Sequence, residues 1–191
     1  MARERKFTKD NLYTTSKKLL LNHGYEGYTF TLLANDLNIS RAAIYKYYEN
    51  KEELLSEYML FELRNFINNL KLINEKDTFL DQFHALIDIL FQDMSIYLIR
   101  DIGMQIQTVN KKVAKNKEEL EKLHRELYSS LQDFIDIGRR EQMLRENIPD
   151  SLILGIIFQT VNIPNTSGLP HHEWVQILKD VLSHGMFTKC N

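Results

Sequence analysis

The stretch from Ser40 to Leu54 carries the side chains of this chain that are best suited to recognition chemistry. Arg41 can donate two hydrogen bonds to one guanine, and the short side chains of Ala42 and Ala43 let the backbone approach base edges or a thymine methyl group. Tyrosine hydroxyls and lysine ammonium groups nearby can bind phosphate oxygens. Each of these residues alone is also an ordinary packing or surface residue, so the prediction depends on their arrangement. The residues predicted to contact nucleic acid are Thr29, Thr31, Ser40, Arg41, Ala42, Ala43, Tyr45, Lys46, Tyr47 and Lys51.

Two short helices with a tight turn between them are predicted to position these side chains. Thr29 and Ser40 are candidate N-caps, since a side-chain oxygen can accept a hydrogen bond from a free amide of the first turn. The first helix breaks at Asn38. Its apolar residues at helical spacing are Phe30, Leu33, Ala34 and Leu37. This order is typical of a helix-turn-helix, in which the second helix enters the major groove of DNA.

A longer helix is predicted to begin directly after the recognition stretch. Asn50 can cap it, with Glu53 completing a variant capping box. Lys51 would then lie near the DNA backbone, where the amides of the helix N-terminus could help to bind a phosphate. Ile44 and Tyr48 are predicted to face the core and anchor the recognition helix from within.

Residues 8–54 resemble the N-terminal domain of the TetR family of transcriptional regulators. The resemblance rests on a first helix that closes at Gly24, the turn Asn38–Ser40, and Ile44–Tyr48 followed by Asn50–Leu54. Three departures from the family's pattern leave the operator sequence unreadable. They are Thr31 in place of a basic residue, Leu32 in place of a polar residue, and Ala42-Ala43 in place of a pair with a glycine.

The resemblance implies an all-α protein with two domains. Residues 1–51 would form a three-helix DNA-binding domain with the helix-turn-helix, and residues 52–191 an α-helical effector-binding and dimerisation domain. Such a protein is expected to bind a palindromic operator in double-stranded DNA as a homodimer, because two recognition helices related by a two-fold axis fit successive major grooves about 34–36 Å apart. A repressor that a small-molecule effector releases from DNA is the main expectation, with an activator as an open alternative.

The C-terminal quarter is predicted to form the dimer interface. The helix expected after Pro149 is apolar on several faces, so it must be buried on more than one side. In similar proteins this helix and the last helix form a four-helix bundle with the same pair of a second copy. A core within one chain would explain the same pattern. The predicted interface residues are Ile153, Ile156, Ile157, Thr160, Trp174, Ile177, Leu178, Val181 and Leu182.

An effector pocket is predicted inside the helices of residues 79–160, because similar regulators bind small, often apolar molecules there. Aromatic residues and methionine at helical spacing are also what an ordinary core contains. The candidate lining residues are Phe83, Ile87, Phe91, Met104, Gln107, His124, Tyr128 and Phe158. The chemistry of the effector cannot be read from these residues.

Charge is distributed unevenly along the chain. Residues 1–51 hold nine Lys or Arg and five Asp or Glu, a net charge of +4, whereas residues 52–191 carry −6. The positive charge is therefore concentrated in the predicted DNA-binding part. Arg3, Arg5 and Lys6 could form an arm that reaches phosphates or a minor groove, or a solvated tip.

Composition favours a helical protein of the cytoplasm. The 191 residues include seven Gly and three Pro, and 43% are hydrophobic, so a sizeable helical core is expected. No apolar run approaches the ~20 residues of a membrane span, so no membrane partner is expected. The charged start of the chain lacks an apolar signal segment, and the single Cys190 excludes a disulfide framework.

Catalytic chemistry is not expected. None of the six histidines has a metal-ligand spacing, and the sequence has neither a glycine-rich phosphate loop nor a nucleophile elbow. No cofactor and no metal are therefore predicted. The main competing hypothesis is an effector-independent DNA-binding protein of the same fold, which acts through a protein partner or as an architectural factor.

Overall fold

The computed structural model describes residues 7–92 and 95–188, except for the side chains of residues 95 and 96. This part of the chain is almost entirely helical, with one isolated antiparallel bridge between Leu144 and Phe187. Short 3-10 helices follow α4 and α9. The helices are α1 (Lys9–Gly27), α2 (Phe30–Asp36), α3 (Arg41–Tyr45), α4 (Lys51–Leu70), α5 (Phe79–Gln92), α6 (Ser95–Gln105), α7 (Lys111–Ser130), α8 (Gln132–Arg140), α9 (Asp150–Gln159) and α10 (His171–Met186). The prediction of an all-α fold is confirmed.

The helices pack into two compact units. The first takes the described residues up to Leu63 together with Tyr97–Glu121, and the second takes Arg64–Ile96 and the described residues from Lys122 onward. Three helices, α4, α6 and α7, therefore contribute residues to both units. The functional division after residue 51 stays a prediction, because packing alone does not assign a function to either part.

Helix α1 is capped at its start and buries one stripe of side chains. Thr8 caps it by accepting a hydrogen bond from the Asn11 amide at 3.1 Å. Its buried stripe includes Leu12, Ser16, Leu19 and Leu20. Gly24 has a φ of 65°, a conformation that glycine adopts without strain, and it kinks the helix at the predicted end before a last turn reaches Gly27.

The middle of the chain differs from the sequence-based prediction. The spacing of apolar residues predicts helices over roughly residues 101–116 and over 117–143, whereas α6 ends at Gln105 and α7 begins at Lys111. Asn110 explains the start of α7, because its side chain accepts a hydrogen bond from the Val113 amide at 3.0 Å. A second break separates α7 from α8 at Leu131.

Aromatic residues fill the core of the second unit. The ring centres of Phe79 and Phe134 lie 4.9 Å apart, and Phe83 and Phe187 lie 5.1 Å apart. Gly138 packs so closely that an added Cβ atom would lie 2.6 Å from the Phe79 ring. Among the described residues, no helix combines the length and the hydrophobicity that a membrane span requires.

Candidate nucleic-acid interface

Helices α2 and α3 form the predicted helix-turn-helix. Thr29 caps α2, since its hydroxyl oxygen accepts a hydrogen bond from the Leu32 amide at 3.3 Å. The turn is closed by the Ile39 amide, which donates to the Ala34 carbonyl at 2.9 Å, and Asn38 adopts a positive φ of 52° there. Ser40 has the extended backbone of an N-cap, although its side chain makes no capping hydrogen bond.

The recognition stretch separates into an inner and an outer face. Ile44 and Tyr48 are buried, as predicted, and they fix the stretch in the core of the first unit. Tyr45 and Tyr47 are 54% and 39% exposed, so part of each side chain lies on the outer face. Arg41, Ala42 and Lys46 are also exposed, whereas Ala43 is half-buried. Their contact with DNA stays a prediction.

Neighbouring side chains support the outer face. The rings of Phe30 and Tyr45 meet edge to face with their centres 5.2 Å apart, and those of Phe7 and Tyr47 do so at 5.7 Å. Arg41 donates a long hydrogen bond of 3.4 Å to the hydroxyl of Thr31. Thr31 is exposed, so these two predicted contact residues lie side by side on the surface. The packing restricts the rotamers of both tyrosines before any partner binds.

The first turn of α4 is held by hydrogen bonds within residues 49–53 and by contacts from Lys51 to Tyr25. The side chain of Asn50 accepts from the Glu53 amide at 2.9 Å, and Glu53 accepts in return from the Glu49 amide at 3.1 Å. The predicted capping box is therefore present in variant form. Lys51 donates to the Tyr25 carbonyl at 2.9 Å, and its ammonium lies 4.1 Å from the centre of the Tyr25 ring. This anchoring was not predicted.

Two residues at the start of α7, neither of them selected by sequence reasoning, also reach this turn. Asn110 donates to one carboxylate oxygen of Glu53 at 2.7 Å, and Lys112 donates to the other at 3.0 Å. The ammonium of Lys112 lies 4.8 Å from the Tyr48 ring centre. Burial raises the pKa of Glu53, but the hydrogen bonds from Lys112, the Glu49 amide and Asn110 outweigh it and leave this pKa below its ordinary value.

The predicted effector residues fall in different places. Phe83 and Ile87 are fully buried, and Phe91 borders an open groove between α5 and α10. In the second unit the Tyr128 ring lies 5.2 Å from His124 and 5.9 Å from Phe158. Met104 and Gln107 belong to the first unit, where Met104 is 76% exposed. The prediction that these residues line one effector pocket is not tested by their positions.

The predicted dimer residues divide by exposure. Ile156, Ile177 and Val181 are exposed, Trp174 is half-buried, and Leu152, which was not predicted, is also exposed. The remaining predicted residues lie in the core of their own chain: Ile153, Ile157, Thr160, Leu178 and Leu182. The four exposed residues Leu152, Ile156, Ile177 and Val181 are called the apolar face of α9 and α10 below, and their use as a dimer interface stays a prediction.

Metal chemistry has no visible site in the described residues, which contain no group of three or more His, Cys, Asp or Glu side chains placed to hold an ion. His171 contacts the Phe91 carbonyl through Nε2 at 3.1 Å.

The predicted basic arm, Arg3, Arg5 and Lys6, and the single Cys190 lie outside the described residues.

Comparisons with known proteins agree with this geometry. Residues 12–58 match the model of the tetR family of bacterial regulatory proteins. No curated protein sequence matches the chain. Among solved structures, the ketosteroid regulator KstR2 of Mycobacterium tuberculosis is 14% identical, with a TM-score of 0.72 over 99% of this chain and 98% of its own.

Two further solved structures have the same fold. The TetR-family regulator PfmR from Thermus thermophilus is 16% identical, with a TM-score of 0.71 over 91% of this chain and 97% of its own. The regulator FadR from Bacillus subtilis, solved with stearoyl-CoA, is 17% identical, with a TM-score of 0.66 over 93% and 99% of the two chains. The fold therefore extends over almost the whole length of each of these proteins.

Proposed function

We propose that this chain is a sequence-specific transcriptional repressor of the tetR family that binds a palindromic operator as a homodimer, since residues 12–58 match the family model. The observation that carries the proposal is the outer face of the recognition stretch. Arg41, Tyr45 and Tyr47 are exposed there, while Ile44 and Tyr48 hold the same stretch in the core. An arginine for guanine and tyrosine hydroxyls for phosphates suit the major groove.

The homodimer is supported by the apolar face of α9 and α10. Leu152 and Val181 are 50% and 64% exposed, and Ile156 and Ile177 on the same two helices are 39% and 44% exposed. We expect these four side chains to form one contiguous patch, and large exposed apolar patches mark protein interfaces. A two-fold dimer would use the same face twice, with each copy covering the other.

Release from DNA by a small-molecule effector is the second part of the proposal. Residues 1–51 would bind DNA, and residues 52–191 would bind the effector and form the dimer. FadR from Bacillus subtilis was solved with stearoyl-CoA, and a regulator from Saccharomonospora viridis was solved with choline. The same kind of function in this chain would draw on the aromatic cluster of His124, Tyr128 and Phe158.

Selection of bound sequences from a random DNA pool tests the DNA-binding proposal directly. We expect a palindromic consensus whose half-sites are separated by about one helical turn, 10–10.5 base pairs. The Arg41→Ala variant, selected in parallel, should enrich a less restricted half-site. Enrichment of no sequence by the unaltered chain would contradict the proposal.

An effector-independent regulator of the same fold is the second candidate. The complete burial of Phe83 and Ile87 favours it, since these two predicted pocket residues are packed into a core. A thermal-shift screen with lipophilic and cationic compounds separates the candidates. A compound that raises the unfolding temperature and also releases the selected operator supports an effector site, whereas stabilisation without release supports the second candidate.

A further inference from the structure

The turn between the recognition stretch and α4 is bonded to a helix that lies far away in sequence. Glu53 is 4% exposed, and both of its carboxylate oxygens accept hydrogen bonds from α7 or its cap. Lys112 donates at 3.0 Å and Asn110 at 2.7 Å. A buried carboxylate is costly unless it is paired and hydrogen-bonded, so these two residues determine where Glu53 can sit.

The same group of atoms reaches the recognition stretch itself. Glu53 accepts from the Glu49 amide at 3.1 Å, and the Lys112 ammonium lies 4.8 Å from the ring centre of the buried Tyr48. Lys112 also lies 3.4 Å from the carbonyl oxygen of Tyr47. The short polypeptide between α3 and α4 is thus held from the α7 side at several points.

A second hydrogen bond fixes α7 against α4 one turn further along. Asn116 donates to the hydroxyl of Ser56 at 2.9 Å, and Ser56 is fully buried. Beyond this point α7 continues to Ser130, and its residues from Lys122 onward belong to the second compact unit. One continuous helix therefore carries both the contacts to the recognition turn and part of the other unit.

We infer that Lys112 and Asn110 are positioning residues for DNA binding, which hold the recognition stretch through Glu53 and make operator affinity depend on the position of α7. This inference rests on the proposed function. It adds a link from α7, through Glu53, to the recognition stretch. Neither residue needs to touch DNA. A shift of α7 would move or release Glu53 and with it the turn that carries Tyr47 and Tyr48.

Substitution of Lys112 by methionine tests the link, because methionine keeps an unbranched apolar side chain and removes the ammonium. Lys111→Met is the matched control: it removes the same charge from the neighbouring exposed lysine at the start of α7. We expect Lys112→Met to weaken binding to the selected operator about tenfold. Lys111→Met should change it less than twofold, and Lys112→Arg should restore most of the affinity.

The salt dependence of binding distinguishes positioning from direct contact. Removing a lysine that contacts a phosphate reduces the slope of log affinity against log salt concentration by about one. We expect Lys112→Met to leave this slope unchanged. A lower slope would make Lys112 a phosphate contact, and a loss of affinity equal to that of Lys111→Met would remove the link altogether. Either result overturns the inference.

Glu53→Gln provides a second variant that does not depend on the fold tolerating methionine. It should weaken the operator complex to a similar extent, and the double variant with Lys112→Met should lose no more than either single variant. Losses that add fully would show two independent effects and contradict the link. The proposed function fails if the unaltered chain selects no DNA sequence. The link fails if the chain does select an operator, and Lys112→Met and Glu53→Gln bind that operator as tightly as Lys111→Met does.

Discussion

The recognition stretch and the apolar face of α9 and α10 both expose side chains that are not packed in the core. They differ in the length of the helices that carry those side chains. The first presents Arg41, Tyr45 and Tyr47 from a helix of five residues and the turn after it, and the second presents Leu152 and Val181 from helices of 10 and 16 residues. A helix of five residues is too short to be stable by itself. The recognition stretch therefore depends on its neighbours more than the 16-residue α10 does.

This difference also separates the two kinds of partner. Exposed cationic and hydroxyl groups cost little in water and gain most from a polyanion. Exposed aliphatic side chains gain most when a second apolar surface covers them. Substitutions in the recognition stretch should therefore alter DNA binding first, and substitutions in the apolar face should alter dimerisation first. Variants of either surface test this difference.

The largest effect is expected from charges placed on the apolar face. In the double variant Ile156→Glu with Val181→Glu, each copy would have to bury two carboxylates in the interface, which is strongly unfavourable. We expect a folded monomer in sedimentation velocity. Operator affinity should fall on the order of 100-fold or more, because the second half-site no longer adds to the binding of the first.

Leu72→Glu with Leu80→Glu is the matched control for charge. These leucines are 51% and 41% exposed and lie outside α9 and α10, so the same two charges should leave the dimer intact. If both double variants remain dimeric, the dimer interface lies elsewhere. If both become monomeric, the added charge itself and not the position is responsible.

An intermediate effect is expected from the recognition face. Arg41→Ala should weaken the complex by about 1–3 kcal/mol and relax the preference at one base position in each half-site. Dimerisation and thermal stability should not change, because the hydrogen bond that Arg41 makes to the exposed Thr31 is long and lies on the surface. Fluorescence anisotropy with operators altered at single positions measures both effects on binding. A uniform loss across all sequences would assign Arg41 to phosphate contact.

Much of the fold could be predicted from local signals. Thr8, Thr29 and Asn50 cap their helices as their side chains suggest, and Gly24 changes the direction of α1 where predicted. The inner face of the recognition stretch also followed from spacing, since Ile44 and Tyr48 are four residues apart and both are buried. Each of these signals involves residues within about one helical turn of each other.

The errors came from places where local signals are weak or contacts are distant. The break before α7 was missed because the lysine-rich segment that follows it has the composition of a continuous solvated helix, and the cap at Asn110 is a single residue. The contact between Glu53 and Lys112 joins residues 59 positions apart, and helical periodicity carries no information about such pairs. Likewise, the periodicity of α9 did not separate the buried Ile157 from the exposed Ile156.

The smallest effect is expected at Lys51, which has both a structural role and a predicted role in DNA binding. It donates to the Tyr25 carbonyl and contacts the ring of the same residue, so it stabilises the first unit and is also a predicted phosphate contact. Lys51→Ala should lower the free energy of unfolding by about 1 kcal/mol and the unfolding temperature by about 2–4 °C. Operator affinity should fall alike for all sequences.

Lys46→Ala is the control, because Lys46 is exposed on the recognition stretch and should affect binding without affecting stability. Equal unfolding temperatures for the two variants would show that the Tyr25 contact contributes nothing, whereas an unchanged affinity of Lys51→Ala would limit Lys51 to the support of the recognition surface.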